Sequence, residues 1–388
     1  MKNLFKALVV MLVAFMLVGC SDNKTEGGDA TTKAFKLGAS GPLTGEDAIY
    51  GKAVETAVKI AVEEINAAEG YTFFDFKIED DEASPEKAPN AFGALMDWGM
   101  QVSLYTVTSG AGAAVAKDYY DNRIFAITPS ASNTAVIYDG TTNFDNCFQV
   151  CFTDLNQGTA SADYIKEHNL GSSVFVIYNN EDNYSTGIFQ TFMDQAKKIG
   201  LNVVGNATFD KKTSDFSTAV LSAQAANADV VFLPIYYTPA SLILTEAAKN
   251  NFAPVFFGCD GMDGILGIEG FDTTLANGLY MLTPFAADAT DDKTVAFVEK
   301  YKAATNGEVP NQFAADAYDA VYVIYNAIKA AGVTADQATA DICSAIIAQV
   351  TSMTYEGLTG TATWAVNGEV SKSPKAVVIN NGVYVNAE

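Results

Sequence analysis

The sequence predicts an α/β protein built as two open, mostly parallel sheets in tandem, each flanked by helices. From Phe35 onward short apolar runs alternate with longer amphipathic stretches, the signature of repeated βαβ units. The alternation runs through two cycles, the second beginning near Phe148. The chain beyond Cys20 is too long for one ordinary core, and 49% apolar residues is enough for two.

The elements follow in order. FKLGAS (35–40) reads as a strand. Residues 49–68 read as a helix with Val54, Val58, Ala61, Val62 and Ile65 along one face, and FFDFKIED as the next strand. Ser84, Pro85 and Glu86 open a further helix, proline being well tolerated in a first turn. A strand at 102–108, a helix at 111–120 and a short strand at 124–127 complete the first cycle. In the second, helices at 157–168, 184–199, 215–226 and 239–251 alternate with strands at 174–178, 202–207, 230–233 and 255–257. Helices at 293–305, 311–331 and 336–349 precede β-type segments near the C-terminus.

The N-terminus carries a separate instruction. Lys2 and Lys6 precede an unbroken apolar run from Ala7 to Val18, the pattern of an export signal. This run of twelve falls short of the roughly 20 residues a membrane-crossing helix needs. Leu17-Val18-Gly19-Cys20 resembles the lipobox of bacterial lipoproteins, which implies lipidation of Cys20 and cleavage before it. Acyl chains on that residue would hold the protein at a membrane surface. The polar stretch SDNKTEGGDATTK (21–33) cannot build a core and reads as a flexible tether. The expected location is therefore extracytoplasmic, on the outer face of the cytoplasmic membrane or in the periplasm.

Composition removes several classes of function. A formal charge of −23 repels phosphate backbones and excludes nucleic-acid partners. Arg123 is the sole arginine and His168 the sole histidine, which weighs against a histidine base, a histidine metal cluster or an arginine phosphate clamp. His168 ends a predicted helix, where it suits a surface or dipole role. With no G-x-S-x-G elbow, an exported hydrolase is disfavoured. Cys147 and Cys151 lie on one apparent strand, where four residues span roughly 13 Å, beyond the ~4 to 7 Å a disulfide allows between Cα atoms. Together with Cys259 and Cys343 they read as buried small hydrophobes. No cofactor or metal is expected.

At the first strand-to-helix junction stands GPLTGEDAIYGKAVETAVKIAVEEINA. In open α/β sheets ligands sit outside the carboxyl ends of strands, where loops and helix N-termini present free N–H groups. This junction resembles the start of the leucine/isoleucine/valine-binding protein family, two-lobed receptors of branched-chain amino acid importers. The likeness continues in order through TSGAG (108–112), ITPSASN (127–133), VCFTDLNQG (150–158), DNYSTG (182–187), the segment 209–216 and GLTG (357–360).

The resemblance implies a periplasmic-binding-protein fold of type I with three crossings between lobes. One lobe would comprise residues 34–150 and 282–356, the other 151–281 and 357–388. It places Ser109, Ser130 and Ser132 where a ligand carboxylate is received. Tyr184 and Tyr236 fall at aromatic cleft positions, with Tyr237 an adjacent alternative to Tyr236. Asp260, in FGCDG, stands where the family has an acidic residue for the ammonium, here one methylene shorter than the expected glutamate. Tyr50 and Phe313 match positions lining a side-chain pocket. The implied protein is a monomeric, non-enzymatic binder that passes an amino acid, branched-chain by family default, to the permease of an ABC importer. A ligand without an ammonium group, such as an amide, short carboxylate or sugar, is the alternative, as is a sensing role beside a surface receptor.

Overall fold

The computed structural model describes residues 33–387. The export segment (1–19), Cys20 and the tether up to residue 32 lie outside the described residues. Among the described residues, no helix is long and apolar enough to cross a membrane.

The first cycle runs β1 (Phe35–Gly41), α1 (Ala48–Glu69), β2 (Phe74–Asp80), α2 (Ala88–Trp98), β3 (Val102–Ser103), α3 (Ser109–Asp121), β4 (Phe125–Thr128) and β5 (Cys147–Gln149). Its strands form a five-stranded, all-parallel sheet in the order β2-β1-β3-β4-β5. The second cycle runs α4 (Asp154–Glu167), β6 (Val174–Asn179), α5 (Asn183–Ile199), β7 (Val203–Phe209), α6 (Ser217–Ala225), β8 (Val230–Leu233), α7 (Tyr237–Lys249), β9 (Val255–Gly258) and β10 (Tyr280–Thr283). The chain then forms α8 (Asp292–Ala304), α9 (Gln312–Ala331) and α10 (Thr339–Val350), followed by β11 (Thr354–Gly357), β12 (Gly360–Trp364), β13 (Val370–Ser371), β14 (Lys375–Asn380) and β15 (Val383–Asn386).

The second sheet has seven strands in the order β15-β14-β10-β9-β8-β6-β7, with β14 and β15 antiparallel to their neighbours. Strands β11 to β13 make a small antiparallel sheet of their own. Both large sheets reverse strand order beside their first strand, between β1 and β3 and between β6 and β8. In such sheets that reversal opens a crevice at the carboxyl ends of the strands.

Helices α8, α9 and α10 return to the first sheet's side, α8 and α9 against α1, and α9 and α10 against β4. Where chain segments cross between the sheets, Lys372 Nζ donates to Asp316 Oδ1 (2.7 Å), to the Val150 carbonyl and to Thr359 Oγ1. The ion pair is fully buried, at 1% and 2% side-chain exposure.

Most predicted elements are found within a few residues of their expected ends, with two differences. The second helix begins at Ala88, not at Ser84, because Glu82 and Ala83 adopt left-handed backbone and Ala83 N–H donates to Asp81 Oδ1 in a turn. The proline in that helix's first turn is Pro89. The strand expected at 102–108 closes after Ser103, because Tyr105 is left-handed (φ 59°) and its N–H turns to Ser103 Oγ at 2.8 Å. Cys147, Cys151, Cys259 and Cys343 are free thiols, all buried. His168 caps the C-terminus of α4 and stacks its ring on Tyr164.

Candidate functional site

The two strand-order reversals face each other across a narrow cavity lined by Tyr50, Val107, Thr108, Ser109, Ser130, Tyr184, Tyr236, Asp260, Gly261 and Phe313. Seven of the eight residues expected at the ligand lie on its wall; Ser132 does not.

The first-sheet side is built on α3. Thr108, extended at φ −109°, is the N-cap residue, yet its hydroxyl makes no capping bond and is buried without a hydrogen-bond partner. The first N–H groups of a helix have no partner within it, and the helix dipole adds partial positive charge there. Ser109 Oγ accepts from Asn133 N–H at 3.2 Å, leaving its own proton to donate. These groups together suit an anion. Ser130 differs, because its hydroxyl donates to the Val107 carbonyl at 2.6 Å and so offers lone pairs to the cavity. Ser132 is fully buried off the cavity wall, its carbonyl accepting from Asp154 N–H.

The second-sheet side centres on Asp260, which stands two residues beyond the end of β9 and is 3% exposed. Its Oδ1 accepts from Tyr184 OH at 2.7 Å, and the same phenol oxygen accepts from Gly261 N–H at 2.9 Å. The peptide is held from behind: Asp260 N–H donates to Gln157 Oε1 and Gln312 Nε2 donates to the Asp260 carbonyl. A side chain at Gly261 would come within 3.0 Å of the Tyr184 ring, so only glycine lets that phenol reach the carboxylate. Burial pushes the Asp260 carboxyl up to about 7 against the opposing hydrogen bond from Tyr184. Among the described residues no lysine or arginine neutralises it. It is an acid in want of a cation.

Aromatic rings form the rest of the wall. Tyr50 and Phe313 are 4.2 Å apart between centroids, Tyr50 meets Tyr236 edge-on at 5.6 Å, and Tyr236 stacks on Tyr184 at 5.0 Å. Tyr236 and Tyr237 divide the work that the sequence left open. Tyr236 lines the cavity, while Tyr237 spans the cleft and donates from its hydroxyl to the Glu46 carbonyl at 2.6 Å. Tyr50 OH makes a reciprocal bond, donating to the Gly261 carbonyl. Both tie the first-sheet side to the second.

Sequence reasoning missed Val107, Thr108 and Gly261 as wall residues. Thr108 was within reach, since a threonine before S-G-A-G marks the cap of a helix that starts at a strand end. Among the described residues no group of three histidine, cysteine or acidic side chains is placed to hold a metal ion.

The chain matches the periplasmic binding protein family over residues 34–382. It is 27% identical over 340 residues to Leu/Ile/Val-binding protein homolog 3 of Brucella melitensis, covering 86% of this chain and 88% of that protein. The leucine-binding protein LivK of Thermotoga maritima superposes with a TM-score of 0.82 at 25% identity, over 92% of this chain and 98% of that one. The branched-chain amino acid transporter substrate-binding protein LivJ of Streptococcus pneumoniae, in complex with isoleucine, gives 0.81 at 26% identity, over 91% and 100%. A two-lobed type I fold, with a cavity of opposed polar ends between its lobes, is a solute trap and not an enzyme: the chain belongs to the periplasmic binding protein family and is a relative of its Leu/Ile/Val-binding proteins.

Proposed function

We propose that this protein captures an amino acid between its lobes and delivers it to the permease of an ABC importer. The observation that carries this is the opposition of Asp260, buried and without a cation, to the N-terminus of α3 with its unpartnered Thr108 hydroxyl. A zwitterion satisfies both ends at once, its carboxylate at Thr108 and Ser109 and its ammonium at Asp260 and Ser130. Thr108, Ser109 and Ser130 belong to one lobe and Asp260 to the other, so the ligand bridges both, favours the closed arrangement and drives the hinge. Tyr50, Tyr236 and Phe313 surround the side chain. Relatives that bind leucine, isoleucine and valine make a branched aliphatic side chain the first choice.

The same reading assigns residues 34–150 with 282–356 to one lobe and 151–281 with 357–388 to the other. The membership of β1 to β5 and of β6 to β10 in separate sheets supports it. It also has the protein exported and lipidated at Cys20, which rests on the sequence from Lys2 to Cys20, and working as a monomer, as the family resemblance implies. Cys20→Ser should release the protein from membranes; radioactive palmitate retained by that variant would contradict the anchor.

A thermal-shift panel tests the ligand class, because a tight ligand raises the melting temperature by mass action. L-amino acids should stabilise the protein and hexoses, acetamide and short carboxylates should not. Stabilisation by the second group alone would overturn the assignment.

A further inference from the structure

Asn133 sits in the loop after β4, next to the serines of the first lobe, and makes its contacts across the cleft. Its Nδ2 donates to Asp154 Oδ2 at 2.7 Å and to the Asn183 carbonyl at 2.8 Å. Asp154 opens α4 and Asn183 opens α5, helices that pack on each other, α5 lying against β6. Its backbone N–H donates to Ser109 Oγ on the cavity wall, and its Oδ1 caps the turn that follows by accepting from Ala135 N–H at 2.9 Å. Tyr184, which holds Asp260, is one residue beyond Asn183. Asn133 is therefore in direct hydrogen-bond contact with the anion end of the cavity and with the helix start that carries the cation end.

Two further observations show that this contact is fitted. Asp154 is buried, which raises its carboxyl well above the usual carboxylate range, and no lysine or arginine is set against it among the described residues; it relies on neutral partners, the Ser132 hydroxyl and the Asn133 amide, whose Nδ2 lies 2.7 Å from Oδ2. A buried carboxylate that loses a donor is left costly to keep. On α5, Gly187 faces the pair, and a Cβ there would lie 2.5 Å from Asn133 Nδ2 and 2.3 Å from Asp154 Oδ2. Glycine here makes room both for Asp154 on the neighbouring helix of the same lobe and for the Asn133 amide arriving from the other.

We propose that Asn133 is a latch: a positioning residue, not itself a ligand contact, that holds the closed lobes together through Asp154 and Asn183 and so sets how long a bound solute is retained. Closure forms the two side-chain bonds, and opening must break them before the solute leaves. Association, which begins from the open form, does not depend on them.

The test separates the latch from the cap. Asn133→Ser and Asn133→Asp both keep an oxygen able to cap the turn, but neither presents Nδ2, and the aspartate sets a second carboxyl opposite buried Asp154. Stopped-flow with the best-binding of the twenty L-amino acids should give a dissociation rate roughly two- to tenfold faster in Asn133→Ser, as expected for loss of a hydrogen bond, and at least as fast in Asn133→Asp. The association rate and the melting temperature of the unliganded protein should stay at the wild-type values. Gly187→Ala should speed dissociation as well, and adding Asn133→Ser to it should give little further effect, because both act on one contact. An unchanged dissociation rate in Asn133→Ser overturns the latch, as does a change carried entirely by association or matched by an equal loss of unliganded stability. Should no amino acid bind, the proposed ligand class fails by itself, and the latch is read with the solute that co-purifies with the protein: its dissociation should be faster from Asn133→Ser than from wild type, and an equal rate would overturn the latch.

Discussion

Replacing Asp260 by asparagine removes the negative charge from the cavity while keeping an oxygen to accept from Tyr184 OH. In the proposed complex this leaves a buried ammonium without its counter-charge, a loss of about 3–5 kcal/mol for breaking a buried pair. At about 1.4 kcal/mol per tenfold, the dissociation constant rises by roughly two to three and a half orders of magnitude. The free protein supplies a second signature, because burial holds the Asp260 carboxyl at about 7. An ammonium needs the ionised acid, so binding below pH 7 must expel a proton, and affinity falls by up to about tenfold per pH unit below that point. Folding moves the opposite way. With the folded pKa raised above the unfolded one, the native state binds more protons between about 4 and 7. Asp260 therefore costs the unliganded protein stability as pH rises through that window, by at most roughly 4 kcal/mol above pH 7. Asp260→Asn should thus bind far more weakly and with less dependence on pH between 5.5 and 8, yet unfold at a higher temperature than wild type at pH 8 without ligand. Isothermal titration calorimetry in buffers of differing ionisation heat reads affinity and proton release together. Equal affinity in the variant, or an unaltered pH slope, would refute the reasoning.

Two other perturbations probe different parts of the fold. Tyr50→Phe removes the hydroxyl that bonds the Gly261 carbonyl across the cleft; a net loss of about 0.5–1.5 kcal/mol should appear as faster solute dissociation in stopped-flow, with unliganded stability unchanged. Lys372→Met strips the cation from buried Asp316 where chain segments cross between lobes, and urea unfolding should show a loss of about 3–5 kcal/mol, most of it recovered by adding Asp316→Leu.

The layout of the fold was legible because a parallel sheet writes itself as apolar runs separated by amphipathic helices. The strand at 230–233 was found at its own ends for that reason. Legibility failed where backbone conformation outweighed pattern, as at Tyr105, whose left-handed turn cuts short an apolar run, and at Glu82 and Ala83, which delay a helix past its first proline. The site was legible to the extent that it rests on side chains with distinctive chemistry. Asp260, the aromatic residues, Ser109 and Ser130 reach one cavity. Its remaining parts are properties of the folded backbone. No spacing announces that Gly261 must lack a side chain for Tyr184 to reach its carboxylate, or that the Ser130 proton is committed to the Val107 carbonyl. Tyr236 and Tyr237 are adjacent and chemically identical, and only the start of α7 at Tyr237 decides that one faces the cavity and the other spans the cleft.

The central claim is that the cavity holds a zwitterion between Asp260 and the N-terminus of α3. Native mass spectrometry of the protein purified without added ligand, followed by identification of the released small molecule, tests it most directly. The account predicts an L-α-amino acid, aliphatic by preference, that is absent from Asp260→Asn prepared in the same way. A co-purifying solute with no amino group, retained equally by that variant, would contradict it.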